Sequence, residues 1–181
     1  MGRQLFQDGP YIDPQVANGT ALVATGAEAL WIGATYTPIF ANDPKAGKIY
    51  TIKAGGIMST GASGTLILVP QYGALGGTTL GTSQTVTVPI NMTAVPWKLE
   101  FDLVFRVIDP AGAGASTCIG TGTFTTAGFT SAPAAGVSCS FPFGGTSAAV
   151  NATANSGITI SKTLSVAGSI TVQYAYIFSR N

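Results

Sequence analysis

From about residue 28 onward apolar and polar positions alternate, and no stretch repeats at the 3.6-residue period of an amphipathic helix. The expectation is an all-β chain. Its clearest strand runs from Trp97 to Ile108: Trp97, Leu99, Phe101, Leu103, Phe105 and Val107 fall on one side, and Lys98, Glu100, Asp102, Val104 and Arg106 on the other. The first side is core and the second a mixed-charge ladder. Further strands are expected at Ala29 to Ala34, Lys48 to Ile57, Thr65 to Gln71, Gln84 to Ile90, Thr117 to Thr125, Val137 to Phe143, Ile158 to Leu164 and Ser169 to Phe178. Turn residues separate them, among them Asn42-Asp43-Pro44, Gly61-Ala62-Ser63-Gly64, Gly76-Gly77, Asp109-Pro110-Ala111-Gly112 and Ala167-Gly168. In the last strand alternation places Ile170, Val172, Tyr174, Tyr176 and Phe178 on one side, with Thr171, Gln173 and Ala175 on the other.

Eight or nine short strands with such turns predict a single antiparallel β-sandwich of jelly-roll type over residues 28 to 181. Residues 1 to 27 lack steady alternation and read as an extended N-terminal arm, either a disordered terminus or an extension that orders on a neighbouring subunit. In the second case Leu5, Phe6, Tyr11 and Ile12 are the anchoring candidates. Thr121 to Pro133 and Gly144 to Ser156 are of low complexity and are expected to be long loops. The run Leu66-Ile67-Leu68-Val69 is apolar on both strand faces, so one face is expected against the core and the other against a neighbouring subunit. Ile67 and Val69 are interface candidates on that ground, together with Lys98, Glu100, Asp102 and Arg106 of the charged ladder.

Charge changes the picture. Asp, Glu, Lys and Arg make up 8% of the 181 residues, against about 25% in an ordinary soluble domain. Between Pro110 and Ser179 the one charged side chain is Lys162. Uncharged Thr, Ser, Gly and Ala surfaces are buried against other proteins at low desolvation cost, which favours a structural subunit of a large assembly. A net charge of +1 without a basic cluster argues against nucleic acid as partner. No run approaches a membrane span, and residues 1 to 8 show no apolar core of a secretory signal. Met1-Gly2 begins like a myristoylation signal, but Phe6 stands where Ser or Thr is wanted.

Candidate chemistry is sparse. Histidine is absent, which removes Ser-His-Asp and Cys-His catalysis and most catalytic zinc sites. Cys118 and Cys139 read either as a cross-strand disulfide or as two small buried thiols. Glu100 and Asp102 share a strand face, a spacing open to a carboxylate pair of a glycoside hydrolase, but Lys98 and Arg106 beside them favour ion pairs. Sequons at Asn18, Asn91 and Asn151 are what a Thr-rich chain produces by chance. Gly112-Ala113-Gly114 and Gly120-Thr121-Gly122 lack the third glycine of a dinucleotide fingerprint, and Asp8, Asp13 and Asp43 are too scattered for a calcium loop. Trp31 and Trp97 are read as core or interface rather than sugar platforms. No catalytic residue, metal ligand or cofactor is expected.

The order of features Leu30-Trp31, Thr37-Pro38-Ile39-Phe40-Ala41-Asn42, Gly47 to Ile52 and Thr65 to Leu68 resembles tailed-phage virion proteins with a jelly-roll domain. Pro96 to Phe101, Cys118 to Gly122 and Ile158 to Asn181 extend the resemblance over residues 28 to 181. It implies a capsid decoration or head-fibre protein, made in the host cytoplasm and carried on the capsid surface. The expected partners are its own copies, as a homotrimer, and the major capsid protein. Two alternatives stand beside it. One is a tail-fibre or baseplate module touching host glycan through the two long loops. The other is a jelly-roll major capsid subunit, which the lack of a basic arm disfavours. A cell-wall hydrolase would rest on Glu100 or Asp102.

Overall fold

A computed structural model of the chain describes residues 15, 17–23, 25–111, 114–127 and 138–180, with backbone alone at 127, 138 and 139. Two antiparallel sheets form a sandwich. The larger contains β3 (Ile49–Thr60), β7 (Met92–Val107), β8 (Ser116–Ala127), β9 (Ser138–Val150) and β11 (Gly168–Arg180), in the order β11-β3-β7-β8-β9. The smaller is built on β4 (Gly64–Tyr72) and β10 (Ser156–Leu164). Short β1 (Ala27–Ala29) and β2 (Pro38–Ile39) lie along β10, and β5 (Thr78–Thr79) and β6 (Val86–Val88) along β4.

One folded ribbon joins the sheets. β3 crosses to the smaller sheet as β4 while its partner β11 is continued there by β10, so a single antiparallel ribbon bends over the core. Backbone bonds at the bend hold the corners together: Gly61 N–H donates to Ala167 O at 3.2 Å and Ser165 N–H to Thr65 O at 2.9 Å. This bent ribbon joins the two sheets of the sandwich; β7, β8 and β9 stay together as a meander in the larger sheet.

Inward positions follow the expected alternation of β7 through Trp97, Leu99, Phe101, Leu103 and Phe105, all buried; a bulge after Phe105 turns Val107, expected on the core side, outward. Their rings meet others across the strands: Trp97 stacks on Phe124 at 5.5 Å, Phe124 tilts on Phe141 at 5.3 Å, and Phe101 stacks on Phe143 at 5.5 Å. Such pairs stabilise by roughly 0.5–1.5 kcal/mol beyond area burial. Gly120 and Gly122 of β8 make room for this row. A Cβ at Gly120 would come within 2.2 Å of the Phe101 ring, so the glycines set the depth to which that ring sinks. Trp31 is buried as well, its Nε1–H donating to Ile158 O at 2.9 Å and to Thr37 Oγ1 at 2.9 Å.

The structure corrects several expectations. A bulge between Val172 and Tyr174 shifts the β11 register, so Ile170, Val172, Ala175 and Ile177 face the core while Tyr174, Tyr176 and Phe178 turn outward. The expected strand Ala29 to Ala34 ends at Ala29, and a single helical turn, α1 (Gly33–Tyr36), follows. β9 continues to Val150 through positive-φ residues Gly144 (+88°) and Gly145 (+96°), and β8 reaches Ala127. Much of the two expected loops is therefore strand.

Lys162, the lone charge between Pro110 and Ser179, is not on the surface. It follows Ile158 and Ile160 on the core side of β10, is 0% exposed, and its Nζ lies 2.5 Å from Glu28 Oε2 on β1. Breaking a buried ion pair from one side is costly because the remaining charge loses its compensation. Glu28→Ala is expected to destabilise the chain by about 3 kcal/mol, and the Glu28→Ala/Lys162→Met double substitution to recover most of that loss. Urea unfolding followed by tryptophan fluorescence measures both. By the same method Gly120→Ala should cost about 1–3 kcal/mol through the displaced Phe101 ring.

Candidate functional site

The two outer faces of the sandwich differ, and the expected interface residues divide between them. Ile67 and Val69 lie half-buried on the outer face of β4, in the smaller sheet. Lys98, Glu100, Asp102 and Arg106 lie on the outer face of β7, in the larger sheet. They form two surfaces on opposite sides rather than one patch. The anchoring candidates Leu5, Phe6, Tyr11 and Ile12 fall outside the described residues.

On the larger sheet the charged ladder is paired across strands. Lys53 Nζ lies 3.5 Å from Glu100 Oε2, directly opposite in the β3–β7 register. Both side chains are well exposed, so the pair adds little stability. The Thr51 hydroxyl donates to Asp102 Oδ1, and Arg180 Nη2 donates to Thr51 Oγ1 at 3.2 Å. Glu100 thus pairs with Lys53 and Asp102 accepts from a hydroxyl, rather than either pairing with the expected Lys98 or Arg106.

Between this ladder and the outward rings of β11 lies a groove of about 860 Å³. Its floor includes Lys53, Glu100 and Asp102; Thr121, Thr123 and Thr125 of β8 and Pro142 of β9 border one side, Tyr174 and Tyr176 the other. Tyr174 lies across Gly55 of β3, where a Cβ would come within 2.6 Å of its hydroxyl. The ring planes of Tyr174 and Tyr176 differ by 28° with centroids 6.2 Å apart, and Phe178 continues the row at 6.3 Å. Burial, and the neighbouring Tyr176, raise the Tyr174 pKa above the usual tyrosine value, so its hydroxyl remains a hydrogen-bond donor well above neutral pH. Sequence alternation missed this groove because it turned Tyr174 and Tyr176 inward.

The flank over β8, β9 and β10 is uncharged. With Lys162 in the core, the described outward positions of β8, β9 and β10 are Thr, Ser, Ala, Gly, Pro and apolar residues. Exposed Ile32, Phe40, Leu75 and Val107 occur at the end of the sandwich where β4 and β7 finish and β10 begins.

Polar groups inside the fold are structural. Asp43 Oδ1 lies 2.6 Å from Lys48 Nζ, and Asp43 Oδ2 accepts from the Tyr50 hydroxyl at 2.6 Å, closing the 40–48 loop over the core. Among the described residues no three His, Cys, Asp or Glu side chains converge as metal ligands. Cys118 is a free, buried thiol. It stands opposite Phe105 and Ala148, whereas Cys139 stands opposite Thr126, eight positions along β8. That offset is roughly 26 Å, far beyond disulfide reach, which settles the cysteine alternatives against a Cys118–Cys139 bond within the chain.

No protein-family model matches the chain, and no curated protein matches it.

Burial pushes the Cys118 thiol up to about 12. At pH 8 only about one molecule in ten thousand carries the thiolate. Iodoacetamide at pH 8 should therefore leave Cys118 unmodified in the folded chain and alkylate it in 8 M urea (roughly the upper end of denaturant titrations), as peptide mass spectrometry reads directly.

Proposed function

We propose that this chain is a non-enzymatic virion structural protein that decorates and stabilises a phage capsid, assembled as a trimer. The observation that carries the reading is the placement of charge. The surface over β8, β9 and β10 presents hydroxyls, methyls and backbone, and the sole ionic side chain of that region is turned into the core against Glu28. Such a surface loses little hydration free energy when it is covered by protein. The resemblance of residues 28 to 181 to jelly-roll virion proteins supplies the assembly.

A cyclic trimer uses heterologous contacts, in which one patch of a subunit meets a different patch of the next. The Ile67/Val69 face of the smaller sheet and the uncharged Thr117/Ile119 and Ser147/Ala149 end of the β8–β9 flank are two such patches, and the apolar end carrying Ile32, Phe40, Leu75 and Val107 faces the shell. The arm reaches across the shell surface, and many symmetry copies multiply weak contacts.

Gln15, Gly19 and Leu22 pair with the sandwich edge, so the reaching part of the arm lies before Gln15. Gln15 N–H donates to Ala175 O at 3.0 Å, Gly19 N–H to Val172 O at 2.7 Å, and Leu22 pairs with Ile170. A variant starting at Gln15 should fold and remain a trimer, yet no longer co-sediment with purified capsid shells; undiminished capsid binding removes the anchoring role from residues 1 to 14. The full chain of 18.3 kDa should sediment at about 55 kDa in velocity ultracentrifugation. A monomer at micromolar concentration overturns the trimer.

A further inference from the structure

We infer that the groove on the outer face of the larger sheet binds a neutral oligosaccharide. Three features of the site lead to that ligand class.

The first is the aromatic wall. Tyr174 is laid across β3 because its cross-strand partner is Gly55, the one outward residue type that leaves the space vacant. A ring held down in this way offers a face to a ligand, and Tyr176 repeats it at 6.2 Å. Aromatic faces take the C–H faces of sugar rings with little entropy loss, since the ring has two side-chain torsions.

The second is the polar lining. Thr121, Thr123 and Thr125 point outward at alternate positions of β8, spaced roughly 6.7 Å apart, which gives a hydroxyl ladder of about 13 Å. That length suits several sugar residues rather than one. Glu100 and Asp102 are acceptors for vicinal hydroxyls, and Lys53 and Lys98 are donors.

The third is charge balance. The lining holds two lysines against two carboxylates, so it selects neither an anion nor a cation. A polar, charge-balanced groove with an aromatic wall matches a neutral ligand rich in both donors and acceptors. Its volume of about 860 Å³ lies inside the range of small-ligand sites, roughly 300–1,000 Å³. The inference is independent of capsid attachment, which uses other surfaces.

The test applies the full-length protein to an array of immobilised neutral and acidic oligosaccharides, followed by calorimetric titration of the strongest hit. Binding to neutral members is expected. Tyr174→Ala should weaken it by about tenfold or more with an unchanged circular dichroism spectrum. Gly55→Val, which displaces the ring without removing the Tyr174 side chain, should weaken binding; Thr163→Val, on the smaller sheet, should not. Absence of binding across the array at millimolar sugar, hits confined to acidic glycans, or equal affinity of the Tyr174→Ala variant overturns the inference. So does amide-exchange protection of residues 174–178 that rises with protein concentration and not with sugar, which assigns the groove to a second copy of the chain.

Discussion

Every sheet edge exposes a row of unpaired backbone donors and acceptors, a template for unwanted pairing. The usual protection is charge, and this chain has little. It covers its edges with its own backbone instead. Gln15, Gly19 and Leu22 bond to β11, the segment from Thr78 to Val88 follows β4 nearly end to end, and Thr146 N–H donates to Leu80 O at 3.2 Å so that this segment also meets β9. Together these connections cover the β11 and β4 edges and touch β9 at Gly145 and Thr146. Along those edges backbone pairing does the guarding that charge would otherwise do.

The same economy explains the position of Lys162. On the surface it would interrupt an otherwise uncharged flank; in the core it fixes β1 against β10 through Glu28, and so holds the N-terminal segment where it passes from one sheet to the other. A buried pair of this kind adds more to the choice of one arrangement than to net stability. Asp43 does comparable work for the 40–48 loop, satisfying Lys48 and Tyr50 with its two oxygens.

The sequence made the large elements legible and the groove invisible, for reasons visible in single residues. β7 was readable because its alternation is unbroken over Trp97 to Phe105 and its two sides differ in charge. β11 was misread because its alternation is equally regular to the eye, yet one extra residue at Gln173 exchanges the faces of everything after it. Apolar residues on both sides of the bulge leave no polarity signal to reveal the exchange. A usable signal was present: Gly55 and Tyr174 are the kind of pair in which a bare backbone position is roofed by an aromatic ring from the adjacent strand. α1 escaped notice because four residues are too few to show a period, and the extension of β9 because Gly144-Gly145 reads as a turn when it is an irregularity within a strand. The uncharged flank, by contrast, needed no structure beyond the discovery that Lys162 is absent from it.

The pairing of β1 with β10 also constrains how the molecule comes into being. Glu28 and Lys162 are about 130 residues apart along the chain, and the β3–β4 ribbon waits almost as long for β10 and β11. During synthesis the first strand to emerge has no partner until nearly the whole polypeptide has been made, while β7, β8 and β9 can pair as soon as each appears. Pairing can therefore start among β7, β8 and β9, whereas β1, Gln15, Gly19 and Leu22 lock the sandwich only once β10 and β11 are in place.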